Sequence, residues 1–421
     1  MPSIAMMGMS GCSGRSRAWS HRCSLSLTPR WESAPVPLTA LGRAVERGKD
    51  LLGNHGGVMS FIAIAAARRP FMSMLCGLDL HRGQITYDAL IEETGEIWRG
   101  RIWSPDRARF RHWLEIDVTK RANGAPVAMA VEGCTGWRYV VEEITAAGFE
   151  AHLAEPAETQ AARGRKKRAK TDRSDACLQR ELLARGELTE SWIPPHGVLE
   201  WRERTRLYKT LVDERRMWVQ RIHAELFQHG VALPDGEIRS QEVRAWLASD
   251  EVQLTEAARQ RIGVGYRVID AIEGEAVALR RQVQRFASRQ PACRALVETH
   301  YGIGPLAAVM TWAELGDCRR FSRSMQVVRH CGLDVTVHES DGYRPGGHLS
   351  REGPPALRWA LYEAGKCGAR TTSPDYDYYR AVKKRRDGKL AALAVARKLA
   401  RRCYHTLRAM DGDLIYAMPE V

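Results

Sequence analysis

The chain has 421 residues, 44% apolar and 27% charged, enough to build a sizeable core and too apolar to be wholly disordered. Lys and Arg number 64 against 50 Asp and Glu, a formal charge of +14 that points to a polyanionic partner, nucleic acid first. The longest apolar run, Val58 to Ala67, falls short of the ~18 residues a spanning helix needs, which excludes an integral membrane protein.

Residues 1–72 read as a disordered extension, or as a start placed too early before Met72 and Met74. They are rich in Ser, Arg and Gly, keep no apolar period, and carry nine Lys/Arg against three Asp/Glu, +6 of the +14. From Leu75 the pattern sharpens. Leu75 to Leu80, Gln84 to Ile91 and Glu96 to Trp103 read as strands, the last two joined by a turn at Thr94-Gly95. Helical spacing over Asp106 to Val118, a strand over Val127 to Val131, a helix over Trp137 to Ala147 and a strand over Glu150 to Leu153 follow. A basic loop, Arg163 to Lys170, precedes a helix from Arg173 to Arg185, and together these predict an α/β layered domain over 73–190.

Long amphipathic helices are predicted for Glu200 to Gln290, broken near Gly230 to Gly236, as a helical linker (191–292) without a clean coiled-coil heptad. A mainly α-helical domain over 293–412 follows, with a Gly-rich loop from Gly332 to Gly353 and a basic helix from Lys389 to Arg402. Ten cysteines lie scattered with no C-x-x-C pair, which argues against structural zinc and for reduced thiols. With no secretory signal pattern, the expected location is the cytoplasm.

Asp79 sits inside an apolar strand, where an ionised carboxylate is costly unless paired or metal-bound, and Glu132 ends a second strand. Asp172 and Asp175, three apart at a helix start, share one face. Such a set can hold two divalent cations for phosphodiester displacement, and oxygen ligands suit Mg2+ or Mn2+ rather than zinc. The plainer alternatives are an edge position for Asp79 and dipole-complementing first-turn acids for Asp172 and Asp175.

Cys76-Gly77-Leu78-Asp79, Val131-Glu132-Gly133 and Lys170-Thr171-Asp172-Arg173-Ser174-Asp175-Ala176 resemble the Asp-Glu-Asp-Asp signature of the DEDD transposases of the insertion sequence 110 family, which are related to Piv-type invertases. The resemblance covers about Leu75 to Met410. It implies an RNase H-like fold of the RuvC type for the first domain, with Asp79, Glu132, Asp172 and Asp175 as catalytic ligands of Mg2+ (or Mn2+). In the C-terminal part, Gly332-Leu333-Asp334, Ser340-Asp341-Gly342, Gly347 to Gly353 and Leu357-Arg358 are similar to the family's second domain, whose serine nucleophile matches Ser340. Asp341 interrupts the family's Ser-Gly pair, and Pro354-Pro355 replaces its polar pair. Ser350 is the reserve candidate. The resemblance further implies double-stranded DNA at element ends and target as substrate, a noncoding guide RNA, a homodimer or homotetramer, and a bacterial, nucleoid-associated protein.

Arg163, Arg165, Lys166, Lys167, Arg168, Lys170 and Arg173 place seven cations in eleven residues beside these acids and are expected to contact the nucleic-acid backbone. A second basic group runs from Lys383 to Arg386 and through Lys389, Arg397, Lys398, Arg401 and Arg402. The plainer alternative for both is a solvated charged face. Gly302-Ile303-Gly304 opens a helix, either as a phosphate cradle or as a tight turn, and Ser350, Arg351 and Arg358 are further candidate phosphate contacts. Trp192, Trp201, Trp218 and Trp246 are read as packing residues before base-stacking ones. The function expected is a mobile-element transposase that joins Ser340 to a DNA end. The alternatives are a Holliday-junction-type metal nuclease using water and a non-catalytic nucleic-acid-binding remnant.

Overall fold

The computed structural model describes residues 73–162, 171–234, 236–336 and 347–419; the extension expected over 1–72 lies outside them. Strands β1 (Met74–Leu80), β2 (Gln84–Ile91) and β3 (Glu96–Trp103) form an antiparallel meander. Its second turn contains Gly95 at φ +70, a left-handed angle that glycine adopts without steric cost. Strands β4 (Val127–Glu132) and β5 (Glu150–Ala154) add in parallel, giving a mixed five-stranded sheet of order β3-β2-β1-β4-β5.

The stretch expected as one helix after β3 is more varied. Helix α1 (Arg107–His112), capped by the Asp106 carboxylate on Arg109 N at 2.7 Å, runs into a π-helical segment, Trp113–Val118, and then α2 (Thr119–Ala122). Leu114 and Val118 lie one helical turn apart, and the wider π turn brings Trp113 closer to the same face, so that all three enter the core. With α3 (Trp137–Ala146) these residues cover one sheet face, over Met74, Cys76, Leu78 and Leu80. A short helix, α4 (Pro156–Ala162), was not foreseen; only Thr159 in it is buried, so it has no apolar period.

The other face carries α5 (Asp172–Arg185). Strand periodicity turns Leu75, Gly77 and Asp79 toward it. Leu75 packs with Leu183, and a Cβ on Gly77 would lie 2.0 Å from the Ala176 carbonyl oxygen, so helix and strand backbones touch. Arg180 reaches the fully buried Asp88 of β2, which Arg99 of β3 also pairs. These contacts run α5 antiparallel to β1 and set its first turn over Asp79.

Helices α6 (His196–Gln228) and α8 (Glu256–Arg289) lie antiparallel, with Trp201 stacked on Phe286 at 3.9 Å near one end and Ile222 against Gly265 near the other. The expected break near Gly230 to Gly236 is present, and after it the chain forms a separate short helix, α7 (Gln241–Ala248), before the second long helix begins at Glu256. Val243 and Leu247 of α7, one turn apart, close a small core with Ile222, Leu226, Ile262 and Ile269.

Helices α9 (Pro291–Thr299), α10 (Pro305–Leu315), α11 (Ser324–His330), α12 (Pro355–Lys366), α13 (Tyr376–Arg385), α14 (Gly388–Ala409) and α15 (Gly412–Tyr416) complete the chain. The α10 helix is buried from Ala308 to Leu315 and forms the axis of this core, which also takes in Val198, Trp201, Val283 and Phe286 from the long helix pair. Among the described residues every cysteine is free, and no helix is long and apolar enough to cross a membrane.

Candidate metal centre

The centre is built where β1, β4 and the start of α5 meet. Asp79 is 5% exposed and lies on the α5 face of β1. In the parallel register Leu78 pairs with Val131, so the next residues, Asp79 and Glu132, are neighbours across the two strands. Thr171 caps α5 through Ser174 N at 3.2 Å, while Ser174 Oγ receives Thr171 N at 3.1 Å. This capping box fixes the first turn, and Asp172 and Asp175 project from it. The dipole reading of these two acids and the site reading coexist, because the same helix N-terminus faces the strand end.

His81, one residue past the end of β1, completes the cluster. Its Nε2 lies 3.2 Å from Asp79 Oδ2 and 3.5 Å from Asp172 Oδ1, and one ligand atom from each of the three residues falls within 4.8 Å of the others. Gln84 donates to Asp172 Oδ2 at 2.7 Å, holding that carboxylate in place. Asp175 is buried, with Ser174 Oγ 3.3 Å from its Oδ1. Burial raises the Asp79 carboxyl to about 6; the negative charges of Asp172, Asp175 and Glu132 push it the same way, and His81 opposes them. Asp79 Oδ2 is buried and accepts no hydrogen bond of proper geometry. A buried, orphaned carboxylate oxygen among three further acids is an environment a divalent cation fits.

Of the four predicted acids, Asp79 and Asp172 share the tight group with His81, while Asp175 and Glu132 lie outside it, near enough for their charges to act on Asp79. His81 and Gln84 were missed. The two-residue spacing of Asp79 and His81 along one strand face was a signal for the first; nothing local marked the second.

Ser340, Arg163, Arg165, Lys166, Lys167, Arg168 and Lys170 lie outside the described residues. Arg173 is exposed on the first turn of α5. Gly302, at φ +91, would set a Cβ 2.7 Å from the Ala364 carbonyl oxygen, so close approach to α12 explains this glycine as a tight turn. Gly304 has open space around it, and both line a cavity of about 210 Å³ with Arg280 and Trp359. Ser350 Oγ donates to Asp334, and Ser350 N reaches Asp334 O at 3.1 Å, beside the Val335–Leu349 bridge at the base of the loop. Arg351 is exposed with φ +55; Arg358 sits against Gly332, 3.5 Å from the Cys331 carbonyl.

The second basic group divides. Lys383 to Arg386 and Lys389 are exposed. Arg397 donates to the Leu333 carbonyl, and Lys398 and Arg402 pair with the buried Asp375. Those three hold the fold together, because a buried carboxylate and an open carbonyl need them. Trp201 is buried, Trp192 lies under the Arg202 and Arg320 guanidiniums, and Trp218 and Trp246 pack on the α6–α8 core, as packing residues do.

Residues 76–230 match the DEDD family model of the IS110 group, described as "Transposase", and residues 294–380 match the "Transposase IS116/IS110/IS902 family". The chain is similar to "Putative transposase y4rJ" of Sinorhizobium fredii, 30% identical over 242 residues, 52% of this chain and 60% of that one. It is also similar to "Transposase for insertion sequence element IS1111A" of Coxiella burnetii, 24% identical over 309 residues, 68% of this chain and 82% of the relative. The match to y4rJ thus spans less than two thirds of that relative's length.

Proposed function

Because the chain belongs to the IS110 family of insertion-sequence transposases, we propose that it is a DNA recombinase that cuts and rejoins strands at the ends of a mobile element. The observation that supports this reading is the cluster of Asp79, His81 and Asp172 at one end of a mixed sheet, with the charges of Asp175 and Glu132 acting on Asp79 and with Asp79 Oδ2 buried without a hydrogen bond. We assign residues 73–190 to an RNase H-like domain of the RuvC type, 191–292 to a helical linker and 293–412 to the domain bearing the nucleophile.

The four acids hold divalent cations, Mg2+ or Mn2+. Such ions neutralise charge on the scissile phosphate and favour loss of a proton from an attacking hydroxyl. Asp79 and Glu132 supply oxygens from the sheet; Asp172 and Asp175 supply them from the helix, and Gln84 orients Asp172. Ser340 Oγ attacks phosphorus, forming a phosphoserine bond to one DNA end and releasing the other end as a hydroxyl. That hydroxyl reverses the step when strands are rejoined, so the backbone bond energy is kept and no high-energy cofactor is consumed. The basic segment from Arg163 to Arg173 contacts phosphates next to the acids. Double-stranded DNA is the substrate, a noncoding guide RNA reads its sequence, and two or four copies assemble on it in the bacterial cytoplasm.

The test is incubation of the full chain with labelled element-end DNA, Mg2+ and co-purified RNA, read on denaturing gels. A protein–DNA adduct is expected, absent in Ser340→Ala and in Asp79→Asn. Cleavage persisting in Ser340→Ala without an adduct would assign the chemistry to water instead, and nucleic-acid binding without any cleavage would mark a non-catalytic remnant.

A further inference from the structure

His81 stands outside the acidic set yet lies against two of its members, Asp79 and Asp172. Its Nε2 approaches two carboxylate oxygens at once, at 3.2 and 3.5 Å, and Asp79 Oδ2, the nearer of the two, has no hydrogen-bond partner. An imidazolium paired to carboxylates closes to roughly 2.7–2.9 Å. Adjacent ligands of an octahedral cation with bonds of ~2.1 Å stand about 3.0 Å apart. The observed separations sit nearer the second arrangement: three donor atoms around a shared point rather than a cation clasped by two anions. The side chain is 54% exposed, so nothing in the packing forces the ring to face the acids.

We propose that His81 is a cation ligand through Nε2, alongside Asp79 and Asp172, and that this nitrogen gives the centre a preference for transition-metal divalent cations over Mg2+. The inference rests on the reading of the acids as a metal centre and adds which ion they favour. Imidazole is a borderline ligand that binds Co2+ and, more weakly, Mn2+, whereas Mg2+ favours oxygen and keeps its waters. The gain from His81 therefore follows the order Co2+, Mn2+, Mg2+.

The experiment titrates the metal-free full chain with Co2+, Mn2+ or Mg2+ alone by calorimetry, with pulsed electron paramagnetic resonance on the Mn2+ form. Directly bound 14N coupling is expected in the wild type and its loss in His81→Ala. Affinity in that variant should fall about 10–100-fold for Co2+, less for Mn2+ and under about threefold for Mg2+. His81→Asp, an all-oxygen donor set, should lower the ratio of Co2+ to Mg2+ affinity in the same direction. If His81 is instead an imidazolium holding the acids apart, its removal tightens or leaves unchanged the binding of all three ions, and no nitrogen coupling appears in the wild type; either result overturns the proposal. Wild-type protein that binds none of the ions, or binds them equally after Asp79→Asn, would instead refute the metal-centre reading beneath it.

Discussion

Replacing Gly77 by Ala tests how the acids are brought together. Gly77 lies mid-strand in β1, and its extended backbone suits any residue; the constraint is space. A Cβ there would stand 2.0 Å from Ala176 O and 2.6 Å from Arg180 N, both backbone atoms of α5. No side-chain rotation relieves such a clash. Ordinary contact begins at 3.4 Å, so α5 has to withdraw from β1 by about 1.4 Å at this point. Overpacking of this kind costs roughly 1–3 kcal/mol. Asp175 and Asp172 lie within the turn just before Ala176 and move with it, away from Asp79. A misplacement near 1 Å can cost about 100-fold in rate. The expected result is a fall of that order in element-end cleavage, weaker Mn2+ binding, and an unfolding midpoint lower by a few degrees. Wild-type cleavage and melting in Gly77→Ala would refute the seating of α5 on β1 and the geometry derived from it.

Arg180→Met should destabilise the fold by about 3–5 kcal/mol, because it leaves the fully buried Asp88 with Arg99 alone; adding Asp88→Asn should recover part of the loss in a double-mutant denaturation cycle. Burial, reinforced by Arg320, Arg202 and Arg206, lowers the His330 imidazole from 6.5 to about 4. The unfolded chain takes up this proton near pH 6.5 and the folded chain only near 4, so its contribution is complete above 6.5 and is lost as the pH falls toward 4. The loss is at most about 1.4 kcal/mol per pH unit, and denaturation of wild type and His330→Gln at several pH values should show a flatter profile in the variant. Changing Arg165, Lys166, Lys167 and Arg168 together to Ala should reduce the slope of log affinity against log salt by up to about 3.6, roughly 0.9 for each phosphate no longer neutralised; an unchanged slope would leave that segment a solvated charge run.

Local signals were sufficient for much of the fold. The bounds of β2 and β3, the turn at Gly95, and the start of α5 to within one residue are written in spacing and turn chemistry that act within a few residues. Where the local pattern did not suffice, contacts remote in the chain decided: the π turn over Trp113–Val118 aims three side chains at the sheet, and α7 is set apart from the second long helix with Val243 and Leu247 packed on the long helix pair. Arg397, Lys398 and Arg402 looked like phosphate contacts because sequence shows charge and not its partner; Leu333 O and Asp375 are remote in the chain.

The sequence by itself determined which carboxylates are misplaced in apolar surroundings, since the cost of burying a charge depends on the immediate neighbours. Only the tertiary structure decided that Asp79, His81 and Asp172 share a point in space. That meeting depends on α5 lying antiparallel on β1 through the bare backbone of Gly77, a contact between segments far apart along the chain that leaves no periodic trace in either one.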